Sequence, residues 1–269
     1  MIPRQELDRA RDILRALASA AGDPPPGDVR LGFDGAVARI WLDAPASRNA
    51  LSVARMCQLG DVVDALYDWQ GAVVRLESTS VGAFCAGGHL GEVAAYLGEP
   101  ERGRAMAAAM GTVTEALRRL PAVSVAVVDG PALGGGAELA TATDARCFGA
   151  AARIGFVQAS LGVACGWGGS ARLVSIVGAA RAMALLARGE VLGPAEAAAM
   201  GLADAVSPQA GDAADAWLRP VLEAPPEAIR AVKRQVVAAL PPFDAGAAVS
   251  AFAAVWGSPA HRARLGTRR

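Results

Sequence analysis

Residues 130–139 read GPALGGGAEL and lie just beyond the apolar run Val123–Val128. The run predicts a buried β-strand, and the residues from Glu138 to Asp144 predict a helix. Glycines between a strand and a helix let backbone N–H groups face a ligand, and the start of a helix adds positive potential. Close packing between the strand and the helix is the structural alternative.

A second glycine-rich turn has the same setting. Residues 83–90 read AFCAGGHL and follow a predicted buried strand at 72–77. Neither turn fits GxGxxG, and the chain has neither the GK[ST] of a nucleotide-binding loop nor a GxSxG elbow. One turn alone would favour packing. The two together favour an oxyanion hole, in which two N–H donors converge on one oxygen.

The order of the predicted elements favours an α/β fold class with repeated ββα units and an α-helical C-terminal region. A hairpin is predicted around Asp34-Gly35. Strands are predicted at 29–33, 36–42 and 145–149, and helices at 4–21, 52–68, 101–120, 170–177, 179–188, 194–200, 212–222, 227–239 and 243–256.

We expect three regions along the chain. Residues 1–28 form an N-terminal helix and a Pro-rich linker, residues 29–210 an α/β core, and residues 211–269 a C-terminal helical region. The N-terminal helix is either a solvated arm or a helix used in packing or oligomerisation.

The composition excludes several classes of protein. The chain has 269 residues, 53% of them hydrophobic, and 26 basic residues balance 26 acidic ones. It is too apolar for a disordered chain and lacks the basic excess of a nucleic-acid-binding protein. No uncharged apolar run predicts a membrane span, and the charged N-terminus does not resemble a signal peptide. The four widely spaced cysteines lack metal-ligand spacing and favour a reducing, cytoplasmic location.

Further segments form a recognisable pattern when they are taken with the two turns. They are Arg48-Asn49-Ala50-Leu51-Ser52, Leu161-Gly162, Gly166-Trp167-Gly168-Gly169-Ser170-Ala171-Arg172-Leu173, 194–206 and 228–236. Together they resemble the crotonase superfamily, or enoyl-CoA hydratase/isomerase family, over residues 29–265. Within it, the chain is most similar to members of the ethylmalonyl-CoA decarboxylase type. The resemblance implies a crotonase-like core and a trimer, or a pair of trimers, assembled through residues 211–269.

The resemblance also implies a CoA thioester as substrate, with no metal and no permanently bound cofactor. The thioester oxygen would lie between the N–H groups of Gly88 and Gly135, which would stabilise the charge of an enolate. Ala86 and Gly134, in the same two turns, would contact the substrate.

Two cations and one aromatic residue complete the substrate site that the resemblance implies. CoA would run past Arg48, with its phosphates near Lys233 or near the tail of a neighbouring subunit. A solvated surface charge is the alternative for both cations. Trp167 would line the acyl pocket and keep it dry, and packing at the start of a helix is the alternative for it.

Two positions decide the expected reaction. Glu138 stands where the family has one catalytic glutamate, although it could instead be a partner of the helix dipole. The second glutamate is expected four residues before Gly162, and this chain has Gln158 there. Gln158 would be part of the substrate-binding site and can hydrogen-bond water, but it cannot take a proton. Hydration needs a base for the water and an acid for the α-carbon. Decarboxylation forms the same enolate by losing CO₂.

We therefore expect an acyl-CoA lyase that decarboxylates a short alkylmalonyl-CoA-type thioester. An enoyl-CoA hydratase or isomerase is the alternative reaction. A catalytically silent acyl-CoA-binding protein is the alternative from another class.

Several other side chains are expected to be structural. His89 would cap a helix or meet a substrate carboxylate, Cys85 and Cys165 would pack in the pocket, and His261 would face solvent. The tail helix carries a hydrophobic stripe of Phe243, Ala247, Ala248, Phe252 and Trp256. Such a stripe must cover its own domain or a partner, and we expect a partner subunit in a homotrimer or a dimer of trimers.

Overall fold

The computed structural model describes residues 2–80, 82–241 and 245–266. Its strands are β1 (Asp28–Asp34), β2 (Val37–Asp43), β3 (Val73–Ser78), β4 (Val123–Val128), β5 (Pro131–Leu133), β6 (Ala145–Phe148), β7 (Arg153–Gly155), β8 (Val191–Leu192) and β9 (Ala205–Val206). Its helices are α1 (Arg4–Ala20), α2 (Val53–Ala65), α3 (Leu90–Ala95), α4 (Pro100–Arg118), α5 (Gly135–Ala140), α6 (Gly169–Val177), α7 (Ala179–Arg188), α8 (Pro194–Ala199), α9 (Ala210–Glu223), α10 (Pro226–Ala239), α11 (Ala245–Val255) and α12 (Pro259–Gly266). Short 3₁₀ turns lie at Pro45–Ser47 and Gln158–Leu161.

The main sheet places the two glycine-rich turns at one edge. Its strand order is β1-β2-β3-β4-β6-β9, and a smaller sheet has the order β5-β7-β8. The hairpin β1–β2 is antiparallel, whereas β2, β3, β4, β6 and β9 pair in parallel. In the β3–β4 pair, Leu76 lies opposite Ala126. Because parallel strands end at the same edge, the turns after β3 and β4 emerge side by side.

Helices cover both faces of the sheet, as the near-continuous apolar strands predict. Leu76 and Ala126 point into the larger core, which α1, α2 and α4 also build. Val125 and Val127 point the other way, against Leu218 of α9. The predicted α/β fold class is confirmed, with a parallel-rich sheet between helical layers.

The N-terminal helix packs on its own chain. Helix α1 lies against α2 and α4, and Leu7 and Leu14 are fully buried there. The guanidinium of Arg55, itself buried, donates to the carbonyls of Pro25 and Pro26 at 3.2 and 3.1 Å. The linker is therefore fastened to α2, and a solvated arm is excluded.

Two aromatic residues of the tail's hydrophobic stripe, Phe252 and Trp256, also pack on their own chain. Helix α11 packs against α4, and Phe252 and Trp256 are buried. A Cβ atom added to Gly103 of α4 would lie 2.5 Å from Cδ1 of the Trp256 indole. The expectation that a partner covers these two aromatic residues is wrong, because α4 already does so. Phe243 lies outside the described residues.

His261 is buried, so the expectation that it faces solvent is wrong. It is 2% exposed, and its ring packs on Trp256 with 5.1 Å between the ring centroids. Its Nδ1 accepts a hydrogen bond from the N–H of Gly257 at 3.1 Å. Helix α12, which the sequence did not predict, returns the chain onto the Gln158–Leu161 turn and buries the ring.

Local boundaries differ from the predictions mainly near short elements. The helix expected from Glu138 to Asp144 begins at Gly135 and ends at Ala140. The hydroxyl of Thr143 donates to the carbonyl of Ala140 at 2.8 Å, and the N–H of Asp144 donates to the carbonyl of Ser124 at 2.9 Å. These contacts lead the chain out of α5 and into β6.

Among the described helices, none combines the length and the apolar character that a membrane span requires.

Candidate active site

The two glycine-rich turns are joined by backbone hydrogen bonds. The N–H groups of Phe84 and Cys85 donate to the carbonyl of Pro131 at 3.0 and 3.1 Å. The N–H of Leu133 donates back to the carbonyl of Cys85 at 3.0 Å. Gly87 has a φ of 92°, and a Cβ atom there would lie 3.0 Å from the nitrogen of Gly135. Only glycine therefore lets the first turn approach the second this closely.

Two N–H groups at this junction are available to a ligand. Gly135 is the first residue of α5, and N–H groups in the first helical turn have no partner within the helix. The neighbours of Gly88 pair with Leu51, whose N–H donates to Gly87 and whose carbonyl accepts from His89. Among the described residues, neither Gly88 nor Gly135 uses its N–H in a backbone hydrogen bond. Such a pair can bind an oxygen that gains negative charge.

Asn49 holds the first turn in place. It is buried, with a φ of 55°, a conformation that Asn tolerates better than most residues. Its Nδ2 donates to the carbonyls of Ala83 and Phe84 at 3.0 and 3.2 Å, and its Oδ1 accepts from the N–H of Ala44 at 2.8 Å. The sequence offered Asn49 as part of a motif without a role, and its contacts supply one.

Arg48 and Ala86 lie together at the rim of the first turn. Both are exposed, and the N–H of Ala86 donates to the carbonyl of Arg48 at 3.0 Å. On the second turn, the N–H of Gly134 donates to Gly155 of β7 at 2.9 Å. An exposed cation beside the first turn can meet an anionic part of a ligand.

Glu138, on the first turn of α5, points into a cradle of N–H donors. Its Oε2 accepts from the N–H groups of Trp167 and Gly169, both at 2.8 Å. Its Oε1 accepts from Nε2 of Gln158 at 2.9 Å and from the N–H of Gly166 at 3.4 Å. A Cβ atom on Gly169 would lie 2.9 Å from Oε2 of Glu138. The cradle therefore depends on the glycines of the segment 166–169.

Burial raises the pKa of Glu138 above its usual value. The N–H of Gly169, the charge of Arg172, the N–H of Trp167 and the amide of Gln158 act in the opposite direction. A carboxyl group whose pKa is raised holds a proton more readily and can act as an acid.

Arg172 holds the backbone around Glu138 in place. Among the hydrogen bonds of the described residues, it makes none to the carboxylate of Glu138 itself. One guanidinium nitrogen donates to the main-chain carbonyls of Glu138 and Trp167, at 3.0 and 2.6 Å. Burial lowers the pKa of Arg172 to about 10. Arg172 is only a motif position in the sequence, and no signal in the sequence links it to these carbonyls.

Gln158 stands directly beside Glu138, where a second carboxylate would face the first. It is 7% exposed and lies at the start of a 3₁₀ turn. Its own Oε1 is buried and has no hydrogen-bond partner among the described residues. The site therefore has one carboxylate paired with an amide.

Trp167 lies against the second turn. It is buried, and a Cβ atom on Gly135 would lie 2.6 Å from Cη2 of its indole. The indole of Trp167 therefore lies next to Gly135, and the backbone of Trp167 lies next to the carboxylate of Glu138.

Lys233 lies elsewhere in the chain. It is buried in an ion pair with Asp144, and it borders a cavity with Pro121 at the amino end of β4. Gly135 comes after the opposite end of that strand, whose six residues span roughly 20 Å at about 3.3 Å per residue. The structure does not bring Lys233 to the two turns of its own chain.

The remaining reactive side chains have structural contacts. Nδ1 of His89 accepts from the N–H of Glu92 at 3.4 Å, which caps α3. Cys85 and Cys165 are buried, and burial raises the pKa of the Cys85 thiol to about 12, so this thiol is unreactive. The described residues contain no cluster of three or more His, Cys, Asp or Glu side chains that could hold a metal ion.

Comparisons with known proteins agree on the family. The family model for enoyl-CoA hydratase/isomerase matches residues 32–261. An ethylmalonyl-CoA decarboxylase of Xenopus laevis is 36% identical over 208 residues, covering 76% of this chain and 69% of that protein. The protein of the same name from Danio rerio is 37% identical over 233 residues, covering 83% and 77%.

Solved structures share the fold. An enoyl-CoA hydratase/isomerase from Mycobacterium paratuberculosis has a TM-score of 0.80 at 21% identity, over 91% of this chain and 100% of that one. An enoyl-CoA hydratase from Bacillus anthracis has a TM-score of 0.74 at 27% identity, over 86% and 90%. The chain belongs to the enoyl-CoA hydratase/isomerase, or crotonase, family and is an enzyme that acts on CoA thioesters.

Proposed function

We propose that the enzyme decarboxylates a short alkylmalonyl-CoA-type thioester, with ethylmalonyl-CoA as the leading candidate. The observation that carries this proposal is the hydrogen-bonded pair of Gln158 and Glu138, which puts an amide at the position where the family resemblance implies a second glutamate. The curated relatives described above, named for ethylmalonyl-CoA decarboxylation, support the same reaction.

Decarboxylation does not require a base, but it requires a group that stabilises the electron pair left behind when CO₂ departs. The bond between the α-carbon and the free carboxylate breaks, CO₂ leaves, and the electron pair forms the enolate of the thioester. The negative charge then lies on the thioester oxygen, between the N–H groups of Gly88 and Gly135. Donors fixed in advance stabilise such charge without reorganising, and one donor contributes about 2.7–4 kcal/mol in other enzymes.

Glu138 is the candidate proton donor. Residues three apart on a helix are neighbours, so Glu138 lies one turn from Gly135 and from the proposed position of the enolate. Burial raises its pKa, which favours a carboxylic acid that can protonate the α-carbon once CO₂ has left. Hydration would need a second group to take a proton from water, and an amide cannot do so.

The remaining parts of the proposal concern CoA and the assembly. CoA would pass the exposed Arg48, with Ala86 and Gly134 beside the thioester, and its phosphates would lie near the tail of a neighbouring subunit, since Lys233 is buried against Asp144. The family likeness supports a homotrimer or a dimer of trimers assembled through residues 211–269. Four free thiols support a cytoplasmic location.

Incubation with ethylmalonyl-CoA, methylmalonyl-CoA and crotonyl-CoA, followed by mass spectrometry, tests the reaction. We expect butyryl-CoA and propionyl-CoA from the first two, and little 3-hydroxybutyryl-CoA from the third. Hydration of crotonyl-CoA without decarboxylation would favour a hydratase, which the solved structures named above would also fit. Binding without any turnover would favour a silent acyl-CoA-binding protein.

A further inference from the structure

The indole of Trp167 occupies the space where a side chain at Gly135 would lie. A Cβ atom on Gly135 would stand 2.6 Å from Cη2 and 2.9 Å from Cε3 of the ring. The ring is therefore in van der Waals contact with the backbone of Gly135. Trp167 is 5% exposed, so the indole is packed in the interior.

The ring lies on the same side of Gly135 as the N–H that would bind the thioester. In an α-helix the Cα–Cβ bonds tilt toward the N-terminus, and the free N–H groups of the first turn point in that direction too. Gly135 is the first residue of α5. A thioester oxygen bound to its N–H therefore lies close to the indole.

The backbone of Trp167 is fixed on both sides. Its N–H donates to Oε2 of Glu138 at 2.8 Å. Its carbonyl accepts from Oγ1 of Thr114 at 2.7 Å and from Arg172 at 2.6 Å, and both of these partners are buried. The backbone at Trp167 is therefore held in place, and the indole could move away from an incoming acyl group only by changing its own side-chain torsions.

The segment before Trp167 is packed as tightly. A Cβ atom on Gly166 would lie 2.9 Å from the ring of Phe252 and 3.2 Å from Ala107. Helices α4 and α11 therefore pack closely against the segment before Trp167 and leave it little room to shift away from Gly135.

We propose that Trp167 limits the length of the acyl chain that the site accepts. The inference rests on the proposed function for the position of the carbonyl between Gly88 and Gly135. The alkyl substituent is attached one bond from that carbonyl, so it meets the indole at once. A methyl or ethyl substituent fits beside the ring, and a butyl substituent collides with it.

Decarboxylation rates test this directly. The wild type, Trp167→Leu and Trp167→Phe are compared on methyl-, ethyl-, propyl- and butylmalonyl-CoA. We expect Trp167→Leu to raise kcat/KM for butylmalonyl-CoA, relative to ethylmalonyl-CoA, by at least about tenfold, since one methylene in an apolar pocket counts for about 10–200-fold. Trp167→Phe should give a smaller rise and provides the test if the Leu variant does not fold.

The ratio of kcat/KM for butylmalonyl-CoA to kcat/KM for ethylmalonyl-CoA distinguishes a change in specificity from a general loss of activity. Trp217→Leu, on α9 at the opposite face of the sheet, is the matched control and should leave the ratio unchanged. An unchanged ratio in both Trp167 variants would overturn the proposal.

Affinities for acyl-CoA thioesters test the role of Trp167 even if no substrate is turned over. Affinities for acetyl-, butyryl-, hexanoyl- and octanoyl-CoA are measured by calorimetry for the wild type and both Trp167 variants. We expect a loss of affinity beyond butyryl-CoA in the wild type and a recovery of about tenfold or more for hexanoyl-CoA in Trp167→Leu. If no malonyl-type thioester reacts but this pattern is found, the proposed reaction fails and the role of Trp167 stands. A flat series in the wild type would overturn the role of Trp167.

Discussion

Nε2 of Gln158 lies 2.9 Å from Oε1 of Glu138, and both side chains are buried. An amide that donates to a carboxylate can position it but cannot exchange a proton with it. The site is left with one group that can transfer a proton to carbon. This pair is the reason for preferring decarboxylation over hydration, and it makes both residues the first targets for substitution.

Replacing Gln158 by Glu should raise hydratase activity on crotonyl-CoA. Two carboxyl groups at this separation would share a proton, since neighbouring like charges raise one pKa strongly. One could then act as the base for water and the other as the acid. The product 3-hydroxybutyryl-CoA is measured against Gln70→Glu, an exposed control. No rise at all would mean that this position cannot serve as the second acid–base site.

Replacing Glu138 by Gln should abolish most turnover while CoA-thioester binding is retained. General acid catalysis contributes about 10²–10⁴-fold, so we expect kcat to fall at least about 100-fold. The new amide would place N–H groups against the N–H donors of Trp167 or Gly169, at a cost of about 1–3 kcal/mol of stability. Thermal unfolding and thioester affinity show whether the fold and binding survive. A kcat close to the wild-type value would move the proton donor elsewhere.

Gly87→Ala should lower kcat, whereas Gly88→Ala should leave kcat largely unchanged. At Gly87, with a φ of 92°, the Cβ would lie 3.0 Å from the nitrogen of Gly135 and obstruct its N–H. Loss of one such donor lowers kcat by about 10²–10³-fold in other enzymes. At Gly88 the nearest atom would be Cγ2 of Val93 at 3.5 Å, an ordinary contact, and its N–H would remain. Equal kcat values for the two variants would argue against a ligand oxygen at this junction.

The buried ring of His261 should make stability depend on pH. Burial lowers its pKa in the folded state from the usual 6.5, so the unfolded chain binds the proton more tightly. Its contribution to stability is complete above about pH 6.5 and is lost as the pH falls through the window below that value. Urea unfolding at pH 7.5 and pH 5.5 measures this, with His261→Gln as the comparison. An equal pH dependence in both proteins would show that the ring does not contribute.

The proposed assembly predicts a mass of three or six times the 27.2 kDa of one chain. Because α4 already covers Phe252 and Trp256, the tail stripe no longer supplies an independent reason for association. Light scattering at micromolar concentration decides the matter. A mass of one chain would contradict the trimer and the placing of a neighbouring subunit's tail beside CoA.

Local patterns were enough to find the two turns. The apolar runs at 72–77 and 123–128 are strands in the structure, and the glycines after them lie where a parallel sheet must bring them together. Both signals are local in the sequence, one a period of hydrophobicity and the other a change to small residues.

Contacts between distant segments could not be found in this way. The hydrophobic stripe indicates that Trp256 is covered, but not that α4 covers it. Nothing local in the polar tail indicates that α12 buries His261 against Trp256. Lys233 matched a motif on a surface-like helix, yet an ion pair with Asp144 buries it. The steric need for glycine at position 87 depends on its closeness to Gly135, which only the paired turns reveal.

Conversion of ethylmalonyl-CoA in D₂O tests the proposed decarboxylation most directly. If the enolate forms by loss of CO₂ and is then protonated, butyryl-CoA should appear with one deuterium at the α-carbon. One CO₂ should be released for each butyryl-CoA formed, and Gly87→Ala should slow both together. If ethylmalonyl-CoA stays intact under conditions where the enzyme hydrates crotonyl-CoA, decarboxylation is not the reaction of this enzyme.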